Sequence, residues 1–177
     1  MNLVKNLKTI VASFFVILLF TQSKAEVKMV FVEMDTLMNQ SLVGKSLKQQ
    51  LDKISKDNKK NFDDSKKKLT LKKDKINSQK NILSEEEYEK KVVALNEEFK
   101  NFQNEVKKKV LLLRSKRDKA MEKILTELTI ILTEYSKKNE LSFIIDQKNI
   151  IIGRADLNIT KEILKLLNVK LKKVPLN

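Results

Sequence analysis

The clustered carboxylates are the residues of this chain whose type and spacing come closest to suggesting chemistry. Asp63–Asp64 and Glu85–Glu86–Glu87 could bind a metal ion or transfer protons. However, neighbouring residues on a helix point in different directions, so adjacent carboxylates do not converge on one site. The chain also has no His and no Cys, which removes the usual ligands of zinc, copper and haem and the usual catalytic triads. We predict that the protein is not an enzyme and needs no metal or other cofactor.

A second candidate is Gly44–Lys45–Ser46, which matches the end of a phosphate-binding loop. The first glycine of that motif should stand at position 39, where the chain has Asn39, and no strand leads directly into the segment. We therefore interpret Gly44 as the residue that separates a short helix from a long one. No nucleotide is expected to bind here.

Lysines give the strongest remaining signal. Residues 45–80 contain 13 Lys and 5 Asp, in a chain whose formal net charge is +14. A charged face can simply keep a long helix soluble, but this excess on one limb favours an electrostatic surface for acidic polypeptides or anionic lipid. The candidate binding residues in this limb are Lys59, Lys60, Lys66, Lys67, Lys68, Lys72 and Lys73.

Four aromatic residues, Phe62, Tyr88, Phe99 and Phe102, recur at helical spacing together with aliphatic residues. Such residues usually pack two helices together. Alternatively, some of them line an inner surface and contact unfolded chains weakly. We keep both interpretations and include all four among the candidate binding residues.

The elements that carry these residues are long helices. There is no Gly or Pro between Lys45 and Ile152, and apolar residues recur about every 3.6 positions, which predicts helices with little supercoil. The apolar pattern stops at 77–83, and Ser84 and Glu87 then form the sequence of a capping box. This predicts an antiparallel helical hairpin with arms at 45–78 and 85–138 and a tip near 77–84. Three polar residues fall in the apolar stripe and should loosen it: Asn58, Ser65 and Arg117.

Short β-branched runs at 27–32, 141–146 and 149–153 predict three strands, and a last helix is expected near 160–168 with Asn158 or Thr160 as its cap. The predicted fold class is α+β and mostly α: a small β-sheet body from both termini, with the helical hairpin inserted between them. The body comprises residues 26–44 and 139–177, and the arms, residues 45–138, extend into it. The stretches 110–113 and 130–132 are apolar on nearly every side of a helix, which indicates self-association.

The N-terminal residues have the layout of a secretory signal peptide. Lys5 and Lys8 precede an apolar run at 10–20, and Ser23 and Ala25 occupy the small-residue positions of a cleavage site. That run is shorter than the roughly 20 residues that a membrane-spanning helix needs. We expect cleavage after Ala25, export to the periplasm, and a mature single domain at 26–177. Loss of three lysines lowers the net charge to +11.

Taken together, these segments resemble the Skp/OmpH family of periplasmic chaperones. The similar stretches are residues 26–35 with Leu37, the strand at 141–146, and the segment at 158–164. The resemblance implies a homotrimer with a barrel-like core of strands and arms around a cavity. It also implies an ATP-independent holdase for unfolded outer-membrane proteins. Some members have been proposed to bind lipopolysaccharide through a basic cluster on the arms. This chain shows no residue-by-residue match to that cluster, so no lipid site is transferred.

Two other classes fit the composition. A basic coiled-coil protein that binds nucleic acid would share the high lysine content. However, arginine occurs only at 114, 117 and 154, which suits base recognition poorly, and the signal peptide directs the chain away from the genome. A structural envelope protein should show a stricter heptad pattern. We expect no nucleic-acid partner.

Overall fold

Two long helices dominate the computed structural model, which describes residues 27–176. The predicted signal peptide and its cleavage site lie outside the described residues. The elements are β1 (Met29–Val32), α1 (Met34–Gln40), α2 (Leu42–Ser78), α3 (Glu85–Lys138), β2 (Phe143–Asp146) and α4 (Thr160–Lys170), with 3-10 turns at Gln147–Asn149 and Ala155–Leu157. The chain is therefore mostly helical with a small sheet, as the sequence predicted.

The sheet joins the two ends of the chain. β1 pairs with β2 in parallel, with Met29 opposite Phe143 and Val32 opposite Asp146. The prediction of a third strand at 149–153 is wrong. The Asp146 carboxylate accepts a hydrogen bond from the Lys148 backbone N–H at 3.3 Å, and the chain turns into a 3-10 helix. The following β-branched residues then find no partner strand within residues 27–176.

One apolar core connects both ends of the chain to the base of the long helices. Ile124, Leu128 and Ile131 lie on one face of α3 because they are three or four residues apart. They pack with buried residues from the N-terminal segment and from α4 and the chain beyond it: Val32, Leu37, Val43, Leu47, Ile159, Ile163, Leu167 and Val174. The long second helix thus continues past its partner helix into the body, as its greater length predicted.

The break between α1 and α2 falls at Ser41 and not at Gly44. The buried Ser41 hydroxyl accepts a hydrogen bond from the Gly44 backbone N–H at 3.1 Å and caps the start of α2. Gly44 lies in the first turn of that helix, so its prediction as the helix breaker is wrong. Its small size serves a close approach instead, since an added Cβ would lie 1.7 Å from the carbonyl oxygen of Met38.

Helices α2 and α3 contact each other along much of their length. The ion pair of Lys72 with Glu98 and the contact of Phe62 with Phe102 join late positions of α2 to early positions of α3. Between the helices, residues 79–84 form the connection. The predicted capping box is confirmed: the Glu87 backbone N–H donates to the Ser84 hydroxyl, and the Ser84 N–H donates to the Glu87 carboxylate, each at 3.3 Å.

Of the two candidates to cap the last helix, Asn158 satisfies a backbone group at its start and Thr160 does not. The cap position itself is Ile159. The Asn158 side-chain oxygen accepts from the Thr160 backbone N–H at 2.9 Å, and the Thr160 hydroxyl accepts from the Glu33 N–H at 2.8 Å. The second bond ties α4 to the end of β1.

Candidate functional site

All seven candidate lysines lie on α2 within the lysine-rich limb, residues 45–80, and all are solvent-exposed. Lys59 forms an ion pair with Asp63 at 2.8 Å between Nζ and Oδ2, and Lys72 pairs with Glu98 of α3. No carboxylate among residues 27–176 pairs with the other five: Lys60, Lys66, Lys67, Lys68 and Lys73. The limb therefore keeps most of its positive charge available for a partner.

Lys59 is the candidate lysine whose protonation is clearly affected by a neighbour. The hydrogen bond to Asp63 raises the pKa of Lys59 above its ordinary value, and the nearby negative charge adds to this effect. Since a lysine ordinarily titrates near pH 10, we expect its charge to be constant across the physiological range.

The candidate aromatic residues lie where the two helices meet, and each is half-buried. Phe62 and Phe102 form an edge-to-face pair with ring centroids 6.4 Å apart, and the Lys109 ammonium lies 5.8 Å from the centre of the Phe62 ring. Near the tip, Lys80 lies 6.0 Å from the centre of the Tyr88 ring. Phe99 lies on the same stripe. The structure thus gives Phe62 and Phe102 a packing role, and all four keep part of their surface open.

An exposed apolar surface in the middle of α3 was not among the candidate sites. Val110, Leu111 and Leu112 are 57%, 54% and 55% exposed. We call these three residues the apolar ridge. Cationic residues surround it in the sequence: Lys107, Lys108, Lys109, Arg114, Lys116 and Arg117. The sequence predicts self-association for this stretch, but three consecutive apolar residues on a helix must in any case present surface away from one partner helix.

A groove of about 790 Å³ lies near the base of the arm, and a second space, a cavity of about 700 Å³, lies between α2 and α3 beside the ridge. The second is lined by Leu51, Asp52, Ser55 and Asn58 on α2 and by Val110, Leu113, Arg114 and Arg117 on α3. Asn58 and Arg117 are two of the polar residues that interrupt the apolar stripe. Polar side chains do not pack as a dry seam, and the space between the two helices is open at this point. Val110, expected on the stripe, borders it and is exposed.

Further apolar side chains lie on the outer surface of the long helices and their connection. Leu71, Ile82 and Val93 are all well exposed, and sequence periodicity gave no signal for them because they fall off the stripe. Among residues 27–176, no group of three His, Cys, Asp or Glu is placed to hold a metal ion. In the same part of the chain, every helix is too short or too polar to cross a membrane.

Comparison with known protein families identifies the family to which this architecture belongs. The profile of the family described as outer membrane protein (OmpH-like) matches residues 28–167, which run from β1 to the last turns of α4. The chain belongs to the OmpH-like family. The resemblance inferred from the sequence is thereby confirmed, and the matched region includes both the lysine-rich limb and the apolar ridge.

A solved structure shows the same OmpH-like fold. It is the crystal structure of a candidate outer membrane chaperone, described as OmpH-like, from Caulobacter crescentus. The two chains superpose with a TM-score of 0.79 over 88% of this chain and 92% of that chain, at 15% sequence identity. At this identity the similarity establishes the fold alone. No curated protein matches the chain.

Proposed function

We propose that this OmpH-like protein is an ATP-independent holdase chaperone of the periplasm. It binds unfolded outer-membrane proteins and prevents their aggregation. The observation that carries this proposal is a long two-helix arm whose exposed surface combines five unpaired lysines with the apolar ridge. Three consecutive exposed aliphatic residues do not help to keep a helix pair in solution. A protein that holds unfolded chains uses such an exposed apolar surface to bind them.

In the proposed assembly, the mature chain, residues 26–177, is a single domain, and α2 and α3 form an antiparallel hairpin. Three copies associate through their sheets into a barrel-like core. Two features of the body support association at the sheet. Phe143 of β2 is 58% exposed, and Ile151 and Ile152, just after it, are 99% and 90% exposed. Such apolar surface beside an unpaired strand edge favours pairing with another chain.

The proposed clients suit both parts of the arm surface. An unfolded membrane β-barrel strand alternates apolar residues for the lipid with polar residues for the lumen. Its apolar residues can contact the ridge and the open parts of the arm aromatics, while acidic residues contact the lysine-rich limb. Anionic lipid carries the same negative charge as acidic residues and is a further proposed partner of the lysine-rich limb.

Suppression of client aggregation should need neither nucleotide nor metal. We expect an unfolded outer-membrane β-barrel, diluted from denaturant, to stay soluble with the mature protein, as measured by light scattering. Added ATP or EDTA should leave the result unchanged, since the phosphate-loop match is incomplete and the chain has no His or Cys. Aggregation at the rate of the client alone would overturn the proposed function.

The apolar ridge should control how long a client stays bound. Replacing Leu111 and Leu112 with Ser removes exposed apolar surface and should speed client release by about tenfold, because each lost contact weakens the complex. The matched control replaces Leu71 and Val93 with Ser, since these side chains are 60% and 59% exposed but lie outside the ridge. Dissociation rates come from competition with excess unlabelled client. Equal release by the two double variants would show that the ridge has no special role.

A further inference from the structure

The chain that follows α4 crosses the base of the arm. Residues Leu171–Leu176, which we call the strap, form no helix or strand. Three apolar residues of the strap nevertheless reach the body core: Val174 is 3% exposed and belongs to the core cluster, and Leu171 and Leu176 pack against it. The intervening Lys172, Lys173 and Pro175 are exposed. The strap is therefore held by three apolar side chains, and chiefly by that of Val174.

The strap also bonds to both long helices at the level where they leave the body. The Gln50 side-chain amide of α2 donates to the Val174 carbonyl oxygen at 3.0 Å. The Lys116 ammonium of α3 donates to the Leu176 carbonyl oxygen at 3.3 Å. Leu51 and Arg117, the next residues on these helices, both line the cavity between α2 and α3. The strap thus bridges the two helices directly beside the cavity between them.

This attachment is incomplete. The groove of about 790 Å³ runs between the strap and α3, so the two segments do not pack tightly along their length. Lys173 of the strap lines this groove together with Lys116, Lys119 and Lys123 of α3, and Glu122 and Glu127 supply fewer negative charges. Glu127 is also the partner of Lys170 at 4.0 Å. Like charges across the groove weaken the docking of the strap.

We propose that the strap is a positioning element that limits the separation of α2 and α3 at the cavity and so sets the stiffness of the arm. With the strap docked, the carbonyl oxygens of Val174 and Leu176 hold Gln50 and Lys116 in place. With the strap released, the helices part at Asn58 and Arg117, the polar residues that interrupt the apolar stripe between them. That release exposes more of Leu51 and Leu113 to a client, a consequence that rests on the proposed chaperone function.

Hydrogen exchange of the full mature protein without client tests the strap directly. Replacing Val174 with Ser removes its main anchor and should speed amide exchange about tenfold in residues 47–58 and 110–120. Replacing Lys173 with Glu places an anion opposite three lysines and should slow exchange there by about threefold. The control is Val169→Ser, a change at a residue of α4 that is 80% exposed. It should change neither segment.

Opposite shifts in the two strap variants, confined to those segments, would support the proposal. Unchanged exchange in both variants would overturn it. So would a rise for Val174→Ser that is equally large in residues 29–37 and 159–167, because the strap would then be only a part of the body core. Since no client is present, this outcome does not depend on whether the protein is a holdase, which the aggregation assay decides separately.

Discussion

Replacing Ile131 with Asp should unfold the body of the protein, whereas the same change at the neighbouring Ile130 should leave it folded. Ile131 is 3% exposed and packs in one core with Ile124 and Leu128, while Ile130 is 40% exposed. A carboxylate buried there without a partner costs several kcal/mol, which is comparable to the whole free energy of unfolding of a typical domain. Circular dichroism during thermal unfolding should show lost cooperativity for Ile131→Asp only.

The same pair of variants separates folding from assembly. The sequence predicts self-association for 130–132 as one stretch, but the structure places Ile131 in the core of its own chain. In the proposed trimer, the exposed Ile130 is the residue of this stretch that we expect to contact another copy. We therefore expect Ile130→Asp to be folded but to shift sedimentation equilibrium from trimer towards monomer. A stable trimer of that variant would exclude Ile130 from the interface, and cooperative, near-normal unfolding of Ile131→Asp would contradict the core assignment.

The sequence predicted best what local interactions decide. The end of α2 and both bounds of α3 follow from residues within one or two turns: the Ser84 and Glu87 capping box starts α3, and an unbroken run of good helix formers extends it. The face of α3 that packs in the core can also be predicted from spacing alone, since Ile124, Leu128 and Ile131 recur with the helical period. These features need no knowledge of the rest of the chain.

What the sequence could not predict depends on distant partners. The run at 149–153 has strand composition, yet a strand needs a neighbour, and within residues 27–176 β1 is already paired with β2 and bridged at Phe31 by Asn158. Likewise Gly44 signals a helix break by type, but its position is decided by the approach of the Met38 carbonyl. The strap has no period at all, so its docking on α2 and α3 leaves no local signal.

The features of the candidate site also differ in whether they depend on residue type or on distant contacts. Residue type alone identified the lysine-rich limb, because exposed charge on a helix depends little on tertiary contacts. Which lysines are neutralised could not be predicted, since Glu98, the partner of Lys72, comes from the other long helix. The apolar ridge was visible in the sequence but not its exposure, which depends on how little of that side of α3 is covered by α2.

Reversing the five unpaired lysines of the limb should slow client capture sharply. We expect Lys60, Lys66, Lys67, Lys68 and Lys73 changed together to Glu to lower the association rate tenfold to a hundredfold at low salt, on the order of typical electrostatic steering. Single changes such as Lys67→Ala should have little effect, because many lysines produce the field. Lys59 and Lys72 stay unchanged, so the ion pairs to Asp63 and Glu98 remain and the arm should stay folded.

The control must carry the same net charge in a different place. Five exposed lysines in the body or at the body end of α3 serve this purpose: Lys137, Lys138, Lys161, Lys165 and Lys172. If the limb steers clients, the control should retain most of the association rate that the limb variant loses. Added salt should slow the wild type towards the limb variant, since exposed charges are screened beyond about 10 Å at 0.1 M. Stopped-flow association rates measured against salt decide the matter. If the limb variant and the wild type associate equally fast at every salt concentration, capture depends on the apolar ridge and the electrostatic part of the proposed mechanism is wrong.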